Sequence, residues 1–434
     1  MAIALTKLQH SRIEEASKTK LQAFQRKIYL KAKRNPDYKF YCLYDKVFRK
    51  DTLTEAYRRV KANRGACGTD GVTGDDLEGK EAACIGEIQT ELKQQTYRPS
   101  TSREVAIPKR NGKTRTLRIP TIKDRVIQMA VKLIIEPIFE ADFKECSYGY
   151  RPKRGAHDAI RQLGKLLFKD IYAHERKTIE SIDLADCFNT IPHRELMREI
   201  ARRVIDRKLL ALIRAFLSVG AMRETSHTGT PQGGVLSPLL ANIYLDKADR
   251  YWKEKPLRSV LLRYADDMVV VLDRKEARAF KEFLTHIERD LKLTINREKS
   301  HTDTLESGAD YLGFTLREKT SRRQKRYLAI EPSRGAMNRI RERIRSIVRW
   351  NNGMSTEDTI GRTNTVLRGW QLYFDNICMG RTRAAINDFV KLRVAKMISR
   401  RNKRTCISWK LFQDNVLYEK YGLYKMVNRG RKLA

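Results

Sequence analysis

The stretch Leu261-Leu262-Arg263-Tyr264-Ala265-Asp266-Asp267-Met268-Val269-Val270-Val271 decides how the rest of the chain is read. Two adjacent aspartates interrupt a run that is otherwise largely apolar, so the segment reads as a hairpin with both acids at its turn. In isolation an Asp-Asp turn usually means a solvated loop. A second segment, Ile179-Glu180-Ser181-Ile182-Asp183-Leu184-Ala185-Asp186-Cys187-Phe188, changes that weighting by placing Asp183 on a neighbouring strand. Ionised carboxylates gathered in a partly desolvated strand pair are unfavourable without compensation. Hard oxygen ligands suit Mg²⁺, which keeps waters and substrate phosphate oxygens as its other ligands. A two-metal site about 3.5–4 Å across would activate an attacking 3′ hydroxyl and stabilise a leaving pyrophosphate.

The composition points to a polyanionic partner. The chain has 434 residues, 89 Lys and Arg against 52 Asp and Glu, and a net charge of +37. Such an excess costs self-repulsion in a compact protein, and nucleic acid is the natural counterpart. The excess is uneven: residues 1–50 carry +9, residues 51–316 carry +8 and residues 317–434 carry +20. A nearly balanced body flanked by basic arms reads as an enzyme core with electrostatic clamps on phosphates. The seven cysteines are dispersed and form no CxxC pair, which disfavours disulfide scaffolds and zinc ribbons. No apolar run reaches the roughly 18 residues of a membrane span, and the N-terminus lacks a signal-peptide core. An intracellular protein without a membrane partner is expected.

Local patterns give an α+β body. Leu21 to Arg34 reads as a basic helix with few core positions, and Leu53 to Asn63 as a short one. Glu104 to Pro108 and Thr114 to Pro120 are extended runs joined by Lys109-Arg110-Asn111-Gly112-Lys113, a hairpin signal. Asp124 to Glu136, Arg194 to Val219 and Ser237 to Trp252 have helical spacing, the last opening with Ser-Pro. Thr178 to Leu184 reads as a strand, Ser259 to Leu272 as a hairpin and Arg274 to Leu291 as a helix. Helix alone is expected beyond about residue 317.

Read in order, further segments carry a resemblance. They are Phe40-Tyr41-Cys42-Leu43-Tyr44-Asp45-Lys46-Val47, Asn63-Arg64-Gly65-Ala66, Ile107-Pro108-Lys109, Gly112-Lys113-Thr114-Arg115 and Ile119-Pro120-Thr121. Tyr148-Gly149-Tyr150-Arg151-Pro152 and the Asp183 segment follow. The most specific is Gly229-Thr230-Pro231-Gln232-Gly233-Gly234 with Leu236-Ser237-Pro238-Leu239-Leu240-Ala241-Asn242. Tyr264 to Asp267, Asn296-Arg297-Glu298-Lys299-Ser300, Tyr311-Leu312-Gly313-Phe314 and Arg368-Gly369-Trp370 complete the series. From about residue 40 onward the chain resembles the reverse transcriptases encoded by bacterial group II introns, the intron maturases.

That resemblance implies a right-hand polymerase of fingers, palm and thumb with an all-helical basic C-terminal part. The divisions expected are a basic helical extension over 1–50, fingers and palm over 51–316, a helical thumb or maturase domain over 317–390 and a basic nucleic-acid segment over 391–434. It implies Asp183, Asp266 and Asp267 as the catalytic triad, with the Leu184 carbonyl as a further ligand of two Mg²⁺ ions, for which Mn²⁺ could substitute. Lys109 and Arg115 would hold the incoming triphosphate, where cationic donors make physical sense. Pro231, Gln232 and Gly233 would form a loop close to the nucleotide, and Lys299 would protonate pyrophosphate as a general acid. Phe188 would collide with a ribose 2′ hydroxyl and so select deoxynucleotides. Tyr311, Leu312, Gly313 and Phe314 would be the primer grip. Arg339 and Arg343 on a helix, and Arg400, Arg401 and Arg404 beyond it, would meet nucleic acid.

The partners so implied are intron RNA, an RNA template with a DNA primer, dNTPs and target DNA, in a bacterial cytoplasm on nucleoid or ribonucleoprotein. No His follows His301, so the His-Asn-His endonuclease of many relatives is not expected. Three other readings use the same residues: an RNA-dependent RNA polymerase, a non-catalytic RNA-splicing chaperone, and a domesticated enzyme of DNA repair or defence. Phe188 weighs against the first and the intact aspartates against the second.

Overall fold

A computed structural model describes residues 20–74, 76, 78–108, 114–173, 177–219, 227–375, 380–403, 406 and 413–427. The chain divides into two compact units, Met1–Ala159 with Glu180–His301 and Ile160–Ile179 with Thr302–Ala434.

In the first unit, β1 (Arg103–Pro108) and β2 (Thr114–Ile119) form the antiparallel hairpin that Asn-Gly predicts, with Arg103 opposite Ile119. The helix Ile122–Glu140 follows, capped by the Thr121 side chain accepting from the Asp124 amide at 3.2 Å. Most of its residues are buried, so it runs through the core instead of lying on it. The strands β3 (Thr178–Ile182), β4 (Val260–Tyr264), β5 (Asp267–Leu272) and β6 (His301–Asp303) make one sheet in the order β4-β5-β3-β6. Met268 through Leu272 are buried, so β5 is apolar on both faces and needs cover on both sides. The helix Ser237–Lys253, with Pro at its first turn, contributes Leu239, Leu240, Ile243, Tyr244 and Trp252 to the same core.

Three expectations need correction here. The helix spanning 20–34 buries Leu21, Ile28 and Ala32 in the main core, and the expected division at 50/51 coincides with the start of the helix Lys50–Ala62. Residues 1–50 are therefore no separate extension where they are described. Arg194 to Val219 is two helices, His193–Ala201 and Arg207–Val219. They are separated at Asp206, whose carboxylate accepts from the Leu43 and Tyr44 amides, both at 2.8 Å.

The third correction concerns the second unit, where helix does not begin at 317. The strands β7 (Ala309–Tyr311), β8 (Phe314–Thr320) and β9 (Arg326–Pro332) form an antiparallel sheet. Its charged outer positions, Arg317, Lys319 and Glu331 among them, mask the alternation that marks a half-buried sheet. Helices then follow at Arg334–Ile347, Thr356–Phe374 and Gly380–Arg401. Ile340, Ile344, Ile347, Ile360, Leu367, Val390 and Val394 join Leu417, Leu423 and Met426 in this unit's own core. The division expected at 390/391 falls inside the last long helix, whose C-terminal half is as deeply buried as its first.

Candidate active site

Asp266 sits in a two-residue turn: β4 and β5 pair to the end, with Tyr264 opposite Asp267, and Ala265 and Asp266 close the loop. Ala265 takes φ +58°, the left-handed region that such tight hairpin turns require. That conformation is held from behind by Arg263, which is fully buried. Its guanidinium donates to the Ala265 carbonyl at 2.9 Å, the Asn242 side chain at 2.9 Å and the Ser147 hydroxyl at 2.9 Å. It also forms a forked pair with the buried Asp249 carboxylate at 2.8 and 2.5 Å. A buried ion pair of this kind is tolerable because every donor has a partner.

Asp183 follows β3 and is placed by its own backbone. Its amide donates to the Ser300 hydroxyl at 3.1 Å and its carbonyl accepts from the Asn296 amide at 2.8 Å. Leu184 bridges antiparallel to Ile295. The same loop brings Lys299, whose Nζ stands 3.5 Å from the Asp183 carboxylate. Burial, then Asp266 and Asp183, push the Asp267 carboxyl up to about 6, with Lys299 opposing. Burial and then Asp183 raise Asp266 as well. The three carboxyls thus repel one another and are short of positive charge, a donor set that fits a divalent cation. Among the described residues no three acidic, imidazole or thiol groups converge closely enough to enclose an ion unaided. A Mg²⁺ shell completed by water and phosphate oxygens does not require them to.

The loop 229–236 joins the β1/β2 hairpin to this centre. Gln232 accepts from Arg115 through its side chain at 2.5 Å and from the Arg118 amide through its carbonyl at 2.7 Å. Gly233 has φ +116°, and a Cβ there would lie 2.5 Å from the Arg118 carbonyl, so only glycine fits. Pro231 is buried, and its carbonyl accepts from the Ser237 hydroxyl at 2.7 Å. The Phe188 carbonyl accepts from the Thr230 amide at 2.6 Å, which ties that half-buried aromatic to the same loop. Arg115, Gln232 and Phe188 are thus joined through this loop, while Lys299 stands against Asp183. Lys109 lies outside the described residues.

In the second unit, Tyr311 and Phe314 flank another two-residue turn, with Leu312 at φ +48° and Gly313 at φ +83°. The two aromatics are buried, and the tip lines a cavity of about 650 Å³ together with Arg339, Arg343, Gly369 and Trp370. Arg339, Arg343 and Arg400 are exposed. Arg401 is not available in the same way, since it donates to the Trp350 carbonyl, Thr356 and Asn352 at 2.7–3.3 Å. Its role is to fasten its helix end to the preceding connection. Arg404 lies outside the described residues.

Sequence reasoning passed over Arg263, Asp249 and Asn242. A lone Arg inside an apolar strand, and an Asn and an Asp seven residues apart on an apolar helix, were the available signals.

Comparison with known proteins agrees with this geometry. Residues 107–316 match the family model for reverse transcriptase (RNA-dependent DNA polymerase), and residues 337–413 that for the group II intron maturase-specific domain. Protein YkfC of Escherichia coli (strain K12) is 33% identical over 70% of this chain and 90% of its own length. The group II intron-encoded protein LtrA of Lactococcus lactis subsp. cremoris is 37% identical over 53% of this chain and 38% of LtrA. An uncharacterized 91 kDa protein in a cob intron of Schizosaccharomyces pombe is 32% identical over 48% of this chain and 25% of that protein. No helix among the described residues is long and apolar enough to cross a membrane. Reverse transcriptases work on nucleic-acid templates and generally use divalent metal ions, and the cluster around Asp183, Asp266 and Asp267 fits both. A hairpin that carries paired aspartates, a fingers cation tied to its loop and a maturase-specific helical region place this chain in the reverse transcriptase family of group II introns, as an RNA-directed DNA polymerase.

Proposed function

We propose that this polymerase serves a group II intron: it helps the intron RNA to splice and copies that RNA into DNA during retrohoming. The observation that carries the reading is the convergence of three mutually repelling carboxyls with Lys299 and with the Arg115–Gln232 pair. Asp183, Asp266 and Asp267, with the Leu184 carbonyl, would hold two Mg²⁺ ions, which supply charge neutralisation at the attacking and leaving oxygens.

The chain's own residues do the rest. Arg115 neutralises and orients the triphosphate, its guanidinium aimed by Gln232. Phe188 occupies the space a 2′ hydroxyl would need, which favours dNTPs. Lys299, charged beside Asp183, donates a proton to the departing pyrophosphate oxygen. Arg339 and Arg343 follow the phosphates of the primer–template, and Arg400 adds contacts to RNA or target DNA.

The test is extension of a DNA primer on an RNA template by the full chain with dNTPs and Mg²⁺. Asp266→Asn and Asp183→Asn should each lower the rate by at least about a hundredfold, as loss of a preorganised charge-stabilising group does, with template affinity retained. Normal extension by either variant would overturn the assignment.

A further inference from the structure

One exposed aromatic beside the Asp266 turn is mounted with unusual care. Tyr150 has φ +57°, a backbone conformation in which a bulky side chain is rare, and half of its surface is exposed. Its neighbours on both sides are fixed. The Tyr148 amide donates to the Arg263 carbonyl at 2.8 Å and the Arg263 amide to the Cys146 carbonyl at 2.7 Å, so Ser147 makes a parallel bridge to β4. The Gly149 carbonyl accepts from Asn242 at 2.8 Å. A Cβ on Gly149 would lie 2.3 Å from the Ala265 amide, so the segment lies directly against the turn that carries Asp266. On the other side the Arg151 guanidinium is buried and donates to Glu140 and to the Lys144 and Ser147 carbonyls. Between these anchors the Tyr150 side chain stays half exposed.

A strained position held by so many contacts is a candidate for function. The ring's surroundings say where it points. Partial burial and then Asp266 raise its phenol, Tyr264 and Asp267 add to that, and Arg115 opposes. The ring is carried by a segment packed directly against the turn of Asp266. A triphosphate spanning from Arg115 to the carboxylates leaves its sugar and base to meet the aromatic.

We propose that Tyr150 is a substrate-contacting residue of the nucleotide site, its ring packing against the sugar and base of the incoming dNTP. This rests on the reading of Asp183, Asp266 and Asp267 as the polymerising centre. The ring face supplies the contact and the hydroxyl is dispensable, because stacking needs only the π-surface.

Single-nucleotide incorporation by the full chain on a preformed primer–template separates the possibilities. Tyr150→Ala should raise KM for dNTP by roughly tenfold or more, the effect of removing one aromatic stacking partner. The affinity for primer–template and the thermal midpoint should stay within about twofold and a few degrees. Tyr150→Phe should restore the wild-type KM. An unchanged KM in Tyr150→Ala overturns the proposal, as does a lost primer–template affinity with KM unchanged, which would put the ring on the duplex path. A wild-type chain that incorporates no dNTP would instead overturn the reading of the centre itself.

Discussion

Two hairpin tips in this molecule are two-residue turns of the same length that differ in what supports them. Tyr264 to Asp267 and Tyr311 to Phe314 are both two-residue turns with a residue in the left-handed region. Behind the first lies a polar network: Arg263, Asp249, Asn242 and Ser147, all buried. Behind the second lies an aromatic cluster, with Phe314 stacked on Tyr373 at 5.5 Å and tilted against Phe374 at 4.8 Å. Hydrogen bonds are directional, so a network fixes the orientation of a carbonyl and of the carboxylate beside it. Aromatic packing is far less directional and holds a position without fixing a dipole. The tip that must aim charge rests on a buried ionic network, and the tip that bears none rests mainly on aromatic packing, with its Leu312 and Gly313 carbonyls held by the Tyr373 hydroxyl and the Ser333 amide.

That contrast can be broken most severely at Arg263. Arg263→Met leaves Asp249 buried and unpaired, and should cost about 3–5 kcal/mol in urea denaturation. Adding Asp249→Leu should recover most of that stability while primer extension stays depressed, because the Ala265 carbonyl still lacks its donor. Recovery of both together would reduce the network to packing.

A smaller effect tests the electrostatics of the same support. Burial, and next Asp249, push the Asp246 carboxyl up to about 7. The folded value lies above the unfolded one, so this group adds stability below about pH 4 and loses it as the pH rises through 7. Asp246→Asn should flatten the stability profile between pH 4 and 7. An unchanged profile would show that the pair with Arg250, 3.1 Å away, already compensates the charge.

The smallest change is at the aromatic tip. The Tyr373 hydroxyl donates to the Leu312 carbonyl at 2.9 Å. Tyr373→Phe should cost about 0.5–1.5 kcal/mol by thermal melting and leave single-nucleotide incorporation at saturating primer–template near wild type. A large loss of incorporation would mean that this tip, too, depends on a fixed dipole.

Much of the candidate site's local structure was legible because its signals are local. Asn111-Gly112 between extended runs, Ser237-Pro238 before a helical run, and paired acids in an apolar hairpin each need only a few adjacent residues. What was not legible depends on distant partners. The break between His193–Ala201 and Arg207–Val219 is only partly local: Asp206 caps the second helix through the Lys208 and Leu209 amides and also captures amides at Leu43 and Tyr44, more than 160 positions earlier. The strands β8 and β9 read as charged helix because Arg317, Lys319 and Glu331 share their outer face. Arg401, one of a basic run, is spent on fastening its own helix. Tyr150 stood in a recognised motif, yet its importance lies in a backbone angle that Gly149 and Ala265 impose together.

The second unit is assembled from chain that is not contiguous, and this has a consequence for the nascent protein. Gly164 packs against Ile330 and Leu328, and Arg326 donates to the Ile171 carbonyl at 3.0 Å across 155 positions. At ribosomal rates of about 5–20 residues per second, those partners emerge about 8–30 s after the helix Ala156–Ala173. Through that interval the helix carries Leu163 and Leu167, which end almost fully buried, without the strands that complete their surroundings. A stalled or shortened product would present that face to chaperones, so the order of synthesis sets a window of vulnerability that the finished enzyme no longer has.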